Sequence, residues 1–159
     1  MISVVVPAFN RPARLFAALR SILDQTFQEF EIVVVDDSSD KRVYNVISKL
    51  GDRRIKYIKN NAHLGVVNSR IVGINRSCGD FIAFLDDDDF WNSNKLELQH
   101  GVIKKNDAIG MVLSNYTINN LVTNRSSCVS IKHFSKDFMK QILFSPGPFL
   151  QCALIKKKY

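Results

Sequence analysis

The chain has 159 residues, 46% of them hydrophobic, which suits one globular domain and leaves too little material for two independent cores. Its net charge of +7 is unevenly placed: residues 1–100 carry 13 basic and 13 acidic side chains, whereas residues 101–159 carry 9 and 2. No apolar run approaches the ~20 residues of a membrane-spanning helix, and Asn10 and Arg11 end the first run before a signal-peptide core develops, so the expectation is a soluble, cytoplasmic protein.

Ile2 to Val6 is a continuous β-branched run closed by Pro7, the pattern of a strand buried on both faces of a parallel sheet. Asn10 is suited to cap, and Pro12 to open, a helix in which Leu15, Leu19, Ile22 and Leu23 share one face. The unit repeats: Ile32 to Val35 is a second strand, and Val43, Val46, Ile47 and Leu50 stripe a second helix with Gly51 at its C-terminal cap. Ile55 to Ile58 is a short third strand. Val67, Ile71 and Ile74 mark a third helix ending near Gly79, and Phe81 to Leu85 is a fourth strand that runs into four aspartates. Strands alternating with helices at this spacing predict a mostly parallel, twisted sheet with right-handed crossovers and helices on both faces.

Beyond the aspartates, Lys95 to Lys105 reads as a helix with Leu98, Val102 and Ile103 inward, and Met111 to Leu113 as a strand. Asn119, Asn120 and Asn124 to Ser127 suggest a small hairpin, followed by a helix around Phe138 to Leu143 and a turn at Pro146-Gly147-Pro148. Cys78, Cys128 and Cys152 are odd in number and widely spaced; they fit reduced thiols within the packing rather than disulfides or a zinc site.

In open parallel sheets ligands bind beyond the carboxyl ends of the strands. The polar residues collect there: Asn10, then Asp36 and Asp37, then Asn60, Asn61 and His63, and finally Asp86, Asp87, Asp88 and Asp89. Four adjacent carboxylates repel by about 1 kcal/mol per pair in water and about 4 kcal/mol near a protein surface. A divalent cation relieves this, and hard oxygen ligands suit Mg²⁺ or Mn²⁺ held by one or two carboxylates together with substrate phosphates. In an extended segment Asp86 and Asp88 point to one side and Asp87 to the other. The bland alternative is an acidic, solvated turn. The Asp36-Asp37-Ser38-Ser39-Asp40 segment is equally an ordinary turn, His63 and His100 read as structural, and Trp91 reads as packing. Arg70 suits either a phosphate contact or a surface salt bridge.

Taken in order, VVVPAFNR, EIVVVDDSSD, Gly65 with Arg70 and Gly73, and FIAFLDDDDFW resemble the family 2 glycosyltransferases of the GT-A fold over roughly residues 1–115. The resemblance implies a nucleotide-diphosphosugar donor, with a UDP-sugar favoured, and a saccharide or lipid-linked acceptor of the kind used in polysaccharide biosynthesis. It implies Pro7 and Ala8 near the base, Asp37 hydrogen-bonding the base, Arg70 near the diphosphate and Asp87 near the ribose or sugar. It further implies Asp88 as the principal ligand of Mg²⁺ or Mn²⁺, Asp86 at the first position of a DxD motif, and inversion at the anomeric carbon.

The chain departs from that pattern in two ways. Ile71 stands where the family often has Asn. After Glu97 the only acids are Asp107 and Asp137, both in turn-like settings, so the general base of an inverting transfer is not evident. The expectation is therefore a truncated single domain, with residues 1–115 binding the donor and residues 116–159 beginning the acceptor side. A catalytically inert nucleotide-sugar-binding module is the alternative.

The basic last third is open to peripheral contact with the inner face of the membrane. Nucleic acid is not an expected partner, since no recognition motif accompanies the charge. The loop PAFNRP has no glycine where a dinucleotide-binding G-x-G-x-x-G would fall, which removes a dehydrogenase or nucleotidyltransferase reading.

Overall fold

The structure is a computed structural model and describes residues 1–120, 122–131 and 149–158. Strand β1 (Ile2–Ala8) leads to α1 (Pro12–Leu23), β2 (Phe30–Asp36), α2 (Arg42–Leu50), β3 (Ile55–Lys59), α3 (Gly65–Arg76) and β4 (Phe81–Phe84). Then follow α4 (Lys95–Ile103), β5 (Met111–Leu113), a hairpin of β6 (Tyr116–Asn120) and β7 (Arg125–Val129), one helical turn α5 (Phe149–Cys152), and β8 (Ala153–Lys156). The main sheet runs β3-β2-β1-β4-β8-β5. Its first four strands are parallel, with Ile2 opposite both Phe30 and Phe81, and β8 is antiparallel to β4 and to β5. The expected helix around 138–143, the turn at 146–148 and Asp137 lie outside the described residues.

The unbroken apolar runs of β1 and β2 follow from burial on both faces. On one face Val4, Val6, Ile32 and Val34 pack with Leu15, Leu19 and Ile22 of α1, Val43 of α2, and Leu96 and Ile103 of α4. On the other face Val5, Ile82 and Phe84 meet Ile74 of α3. Each fully buried aliphatic side chain contributes roughly 1.5–3 kcal/mol, so the central strands anchor the domain. Gly51 closes α2 in the left-handed conformation (φ 61°), as a C-terminal cap requires.

Several readings are corrected. In α3, the helix-marking Val67 and Ile71 are 64% and 49% exposed, while Ile74 packs towards the sheet beside the buried Ser69 and Gly73. The reason is close approach: a Cβ on Gly73 would overlap the Val5 side chain, so only a small residue lets α3 lie against β1. In α4, Leu98 and Val102 are exposed, while Lys95, Leu96, Gln99 and Ile103 turn inward. The buried Lys95 ammonium lies 4.3 Å from the Trp91 ring centre and donates to Gln99 Oε1 at 2.6 Å; burial pushes its amine down to about 7. Asn10 is not the cap of α1 but adopts a left-handed conformation (φ 55°) one residue before the cap, Arg11. Of the cysteines only Cys152 is buried; Cys78 and Cys128 are exposed.

Among the described residues no helix is long and apolar enough to cross a membrane. The hairpin expected near Asn119 to Ser127 forms, with Asn120 opposite Arg125.

Candidate functional site

The parallel registers bring the strand ends to one edge. Ala8 pairs with Asp36, which pairs with Lys59, and the pairing continues into the loops: Asp37 N–H donates to Ala8 C=O and Asn60 N–H to Asp36 C=O, both at 2.9 Å. A cleft of about 330 Å³ opens there. Pro7, Ala8, Asp37, Asp86, Asp87 and Asp88 all line it. Arg70 reaches it from α3 through Asp86.

The acidic segment is a turn, not an extended strand. Asp89 N–H donates to Asp86 C=O at 3.2 Å, so alternation of side chains ceases after β4. The grouping of carboxylates changes accordingly. Asp86 forms an ion pair with Arg70 (Nη2 to Oδ1, 2.6 Å) and accepts from Gln151 Nε2. Asp87 and Asp88 instead share Arg11, whose Nη1 lies 3.4 Å from Asp87 Oδ1 and 2.5 Å from Asp88 Oδ2; Arg14 stands 3.5 Å from Asp88. Asp87 also accepts the Phe9 N–H at 2.9 Å. Three guanidinium groups thus meet the charge of the cluster. Burial raises the Asp87 carboxyl above its ordinary value, against the Phe9 hydrogen bond and Arg11; burial, then the neighbouring aspartates, raises Asp89.

Asp37 also lines the cleft. Its Oδ1 accepts from Asn60 Nδ2 at 2.8 Å and Leu64 N–H at 2.9 Å, and its Oδ2 accepts from Gly65 N–H at 2.8 Å. His63 Nδ1 stands 2.8 Å from the same Oδ2. Burial alone would raise this carboxyl, but the N–H groups of Leu64 and Gly65, with Asn60 and His63, outweigh it and hold the group below its ordinary range. Asp36, by contrast, is wholly buried between Tyr57 Oη (2.7 Å) and Lys59 Nζ (2.9 Å) and serves the β2–β3 pairing.

Asp86 and Asp88 supply hard carboxylate oxygens on one wall, and each already draws a cationic group. That donor chemistry fits Mg²⁺ or Mn²⁺ when substrate phosphates complete the shell. Among the described residues no group of three or more His, Cys, Asp or Glu could hold a metal by itself.

Residues outside the set expected from the sequence also form the site. Phe9 and Arg11 line the cleft from the β1–α1 loop, and the available signal is their position two and four residues past the edge-forming Pro7. His63, structural by its isolation in the sequence, lines the cleft and lies against Phe9, with ring centres 4.6 Å apart and planes tilted by 36°. Gln151 arrives from α5, and nothing local marks it, because the antiparallel insertion of β8 beside β4 is what brings it to Asp86.

The chain is similar to known proteins. The model of the family described as Glycosyl transferase family 2 matches residues 3–158. The chain is 35% identical over 120 residues to an Escherichia coli UDP-Glc:alpha-D-GlcNAc-diphosphoundecaprenol beta-1,3-glucosyltransferase, WfgD, covering 76% of this chain and 47% of that one. It is 42% identical over 91 residues to a Campylobacter jejuni GalNAc(5)-diNAcBac-PP-undecaprenol beta-1,3-glucosyltransferase, covering 55% of this chain and 29% of the other. The chain therefore spans less than half the length of these relatives. The crystal structure of S. aureus TarS 1-349 in complex with UDP superposes with a TM-score of 0.64 at 29% identity, covering 70% of this chain and 34% of TarS.

Proposed function

The chain belongs to glycosyl transferase family 2 and has its GT-A fold, and we propose that its cleft binds the nucleoside diphosphate of a UDP-sugar, from which the sugar passes to an acceptor hydroxyl. The observation that carries this reading is that the buried Asp37 carboxylate and Asp86, Asp87 and Asp88 line one cleft at the strand ends, with Arg11 and Arg70 beside the aspartates. Pro7, Ala8 and Asp37 take the base, Asp87 the ribose or sugar, and Arg70 the diphosphate. A UDP donor is favoured because TarS is described in complex with UDP and the E. coli relative is named for UDP-Glc. The names of both curated relatives support a lipid-linked saccharide acceptor, and with it contact between the basic last third and an anionic membrane face.

Asp86 and Asp88 would hold Mg²⁺ or Mn²⁺, which when bound neutralises the developing charge on the leaving diphosphate. Arg70 and Arg11 add fixed positive charge at the same place. In the transfer the acceptor oxygen forms a bond to the anomeric carbon as the bond to the phosphate oxygen breaks; the electron pair leaves with the diphosphate and the hydroxyl proton goes to a base. Attack opposite the leaving group inverts the anomeric centre.

A second reading, an inert nucleotide-sugar-binding module, is favoured by one observation. The described acid beyond Glu97, Asp107, is fully exposed beside Lys156 (3.5 Å) and remote from the cleft lining. Titration of the chain with UDP in the presence of Mn²⁺ tests what both readings share, and absence of binding overturns both. Sugar transfer or donor hydrolysis by the purified chain separates them.

A further inference from the structure

Resting on the reading of the cleft as a nucleotide site, we propose that His63 is a placeholder for the nucleobase, a side chain that holds the base subsite closed and yields to the incoming ring. The imidazole occupies the space between the two groups a uracil would meet, the Phe9 ring and the Asp37 carboxylate. Its ring lies against Phe9, ring centres 4.6 Å apart and planes tilted by 36°, and its Nδ1 stands 2.8 Å from Asp37 Oδ2. A uracil presents an N–H at its N3 atom to a carboxylate acceptor of this kind.

Counting acceptor sites shows why the two rings exclude each other. A carboxylate offers about four lone-pair positions; three of Asp37's are taken by Asn60 Nδ2 and the N–H groups of Leu64 and Gly65, and the His63 ring crowds Oδ2, its Nδ1 2.8 Å away. Two of these donors are backbone groups at the start of α3, and the third, Asn60, is 9% exposed and also donates to Ser69 Oγ. None of the three can leave without unravelling the loop. His63 can, since its side chain is 63% exposed and stands on a non-helical residue. Phe9 is 44% exposed, and the tilted His63 ring lies against it. An N–H-bearing ring that binds Asp37 and stacks on Phe9 must displace the imidazole, and binding is weakened by the contacts with Phe9 and Asp37 that the imidazole gives up.

Removing His63 should therefore tighten binding of a nucleotide while leaving its base-free part untouched. Calorimetric titration of His63→Ala with UDP and Mg²⁺ is expected to give a Kd about three- to tenfold lower than that of the unsubstituted chain. Pyrophosphate with Mg²⁺ should bind both proteins equally. In the unsubstituted chain, the carbon-bound imidazole proton signals of His63 should move on addition of UDP and stay in place on addition of pyrophosphate. Unchanged or weaker UDP binding by His63→Ala overturns the proposal, as does a parallel change for pyrophosphate or a His63 signal indifferent to UDP. Failure of the unsubstituted chain to bind UDP would instead overturn the nucleotide-site reading. The exposed position of His63 leaves the fold unaffected, which the unfolding temperature of His63→Ala verifies.

Discussion

Arg70 Nη2 lies 2.6 Å from Asp86 Oδ1, a pair with side chains 18% and 25% exposed that ties the middle of α3 to the turn after β4. A partly buried charge-assisted contact of this kind contributes more than a surface ion pair, and losing one partner leaves the other poorly solvated. Arg70→Ala is expected to destabilise the domain by about 1–3 kcal/mol. It should also weaken UDP binding at least about tenfold, read by denaturant unfolding and calorimetry. Arg70→Lys should not restore binding, because an ammonium lacks the planar fork of the guanidinium.

Arg11 occupies the carboxylates that a divalent cation would use, at 2.5 Å from Asp88 and 3.4 Å from Asp87. Arg11→Gln removes this competitor, so Mn²⁺ titrated without nucleotide should bind several-fold more tightly, as followed by loss of the free-ion electron paramagnetic resonance signal. Asp88→Ala should abolish the metal dependence of UDP binding. Equal Mn²⁺ affinity in Arg11→Gln and the unsubstituted chain would contradict the competition.

Gly73 is where α3 meets β1, and a Cβ there would overlap the Val5 side chain. Gly73→Ala gains helix propensity, but the steric term outweighs it because β1 is anchored on both faces. A net loss of about 1–3 kcal/mol is expected, which lowers the unfolding midpoint by several degrees in a domain of this size.

Lys95 gives a pH dependence whose sign can be worked out. Its amine is pushed from the ordinary 10.5 down to about 7 by burial, so between those values the unfolded chain holds a proton that the folded chain has released. Stability contributed at this residue therefore rises as pH climbs from about 7 towards 10.5 and is flat below 7. Lys95→Met should flatten that rise and stabilise the domain near neutrality by about 1 kcal/mol or more, since the buried charge is replaced by an apolar chain of similar length. Chemical denaturation of both proteins at three pH values across the window measures it.

The alternation of strands and helices, the parallel sheet and the collection of polar residues at its edge are all visible in the chain. Val4 to Val6 and Ile32 to Val35 read as buried strands because a strand covered on both faces carries an unbroken apolar run whatever its neighbours are. Pro7, Ala8, Asp37 and Asp86 to Asp88 likewise lie where strand ends put them. The inward faces of α3 and α4 are not legible in the same way: Ser69, Gly73 and Gln99 are chosen by how closely each helix approaches the sheet, which periodicity does not encode.

The amino-acid sequence by itself determined the family, the order of the elements and the edge at which the cleft opens, because those follow from local runs and from motifs within single loops. Tertiary structure alone decided which charges meet: Arg11 with Asp88 across 77 residues, Arg70 with Asp86 across 16, and His63 with Asp37 between the loops that follow β2 and β3. The physical reason is range. A hydrogen bond or ion pair acts over a few ångströms, and only the completed sheet brings residues so far apart in the chain within that distance.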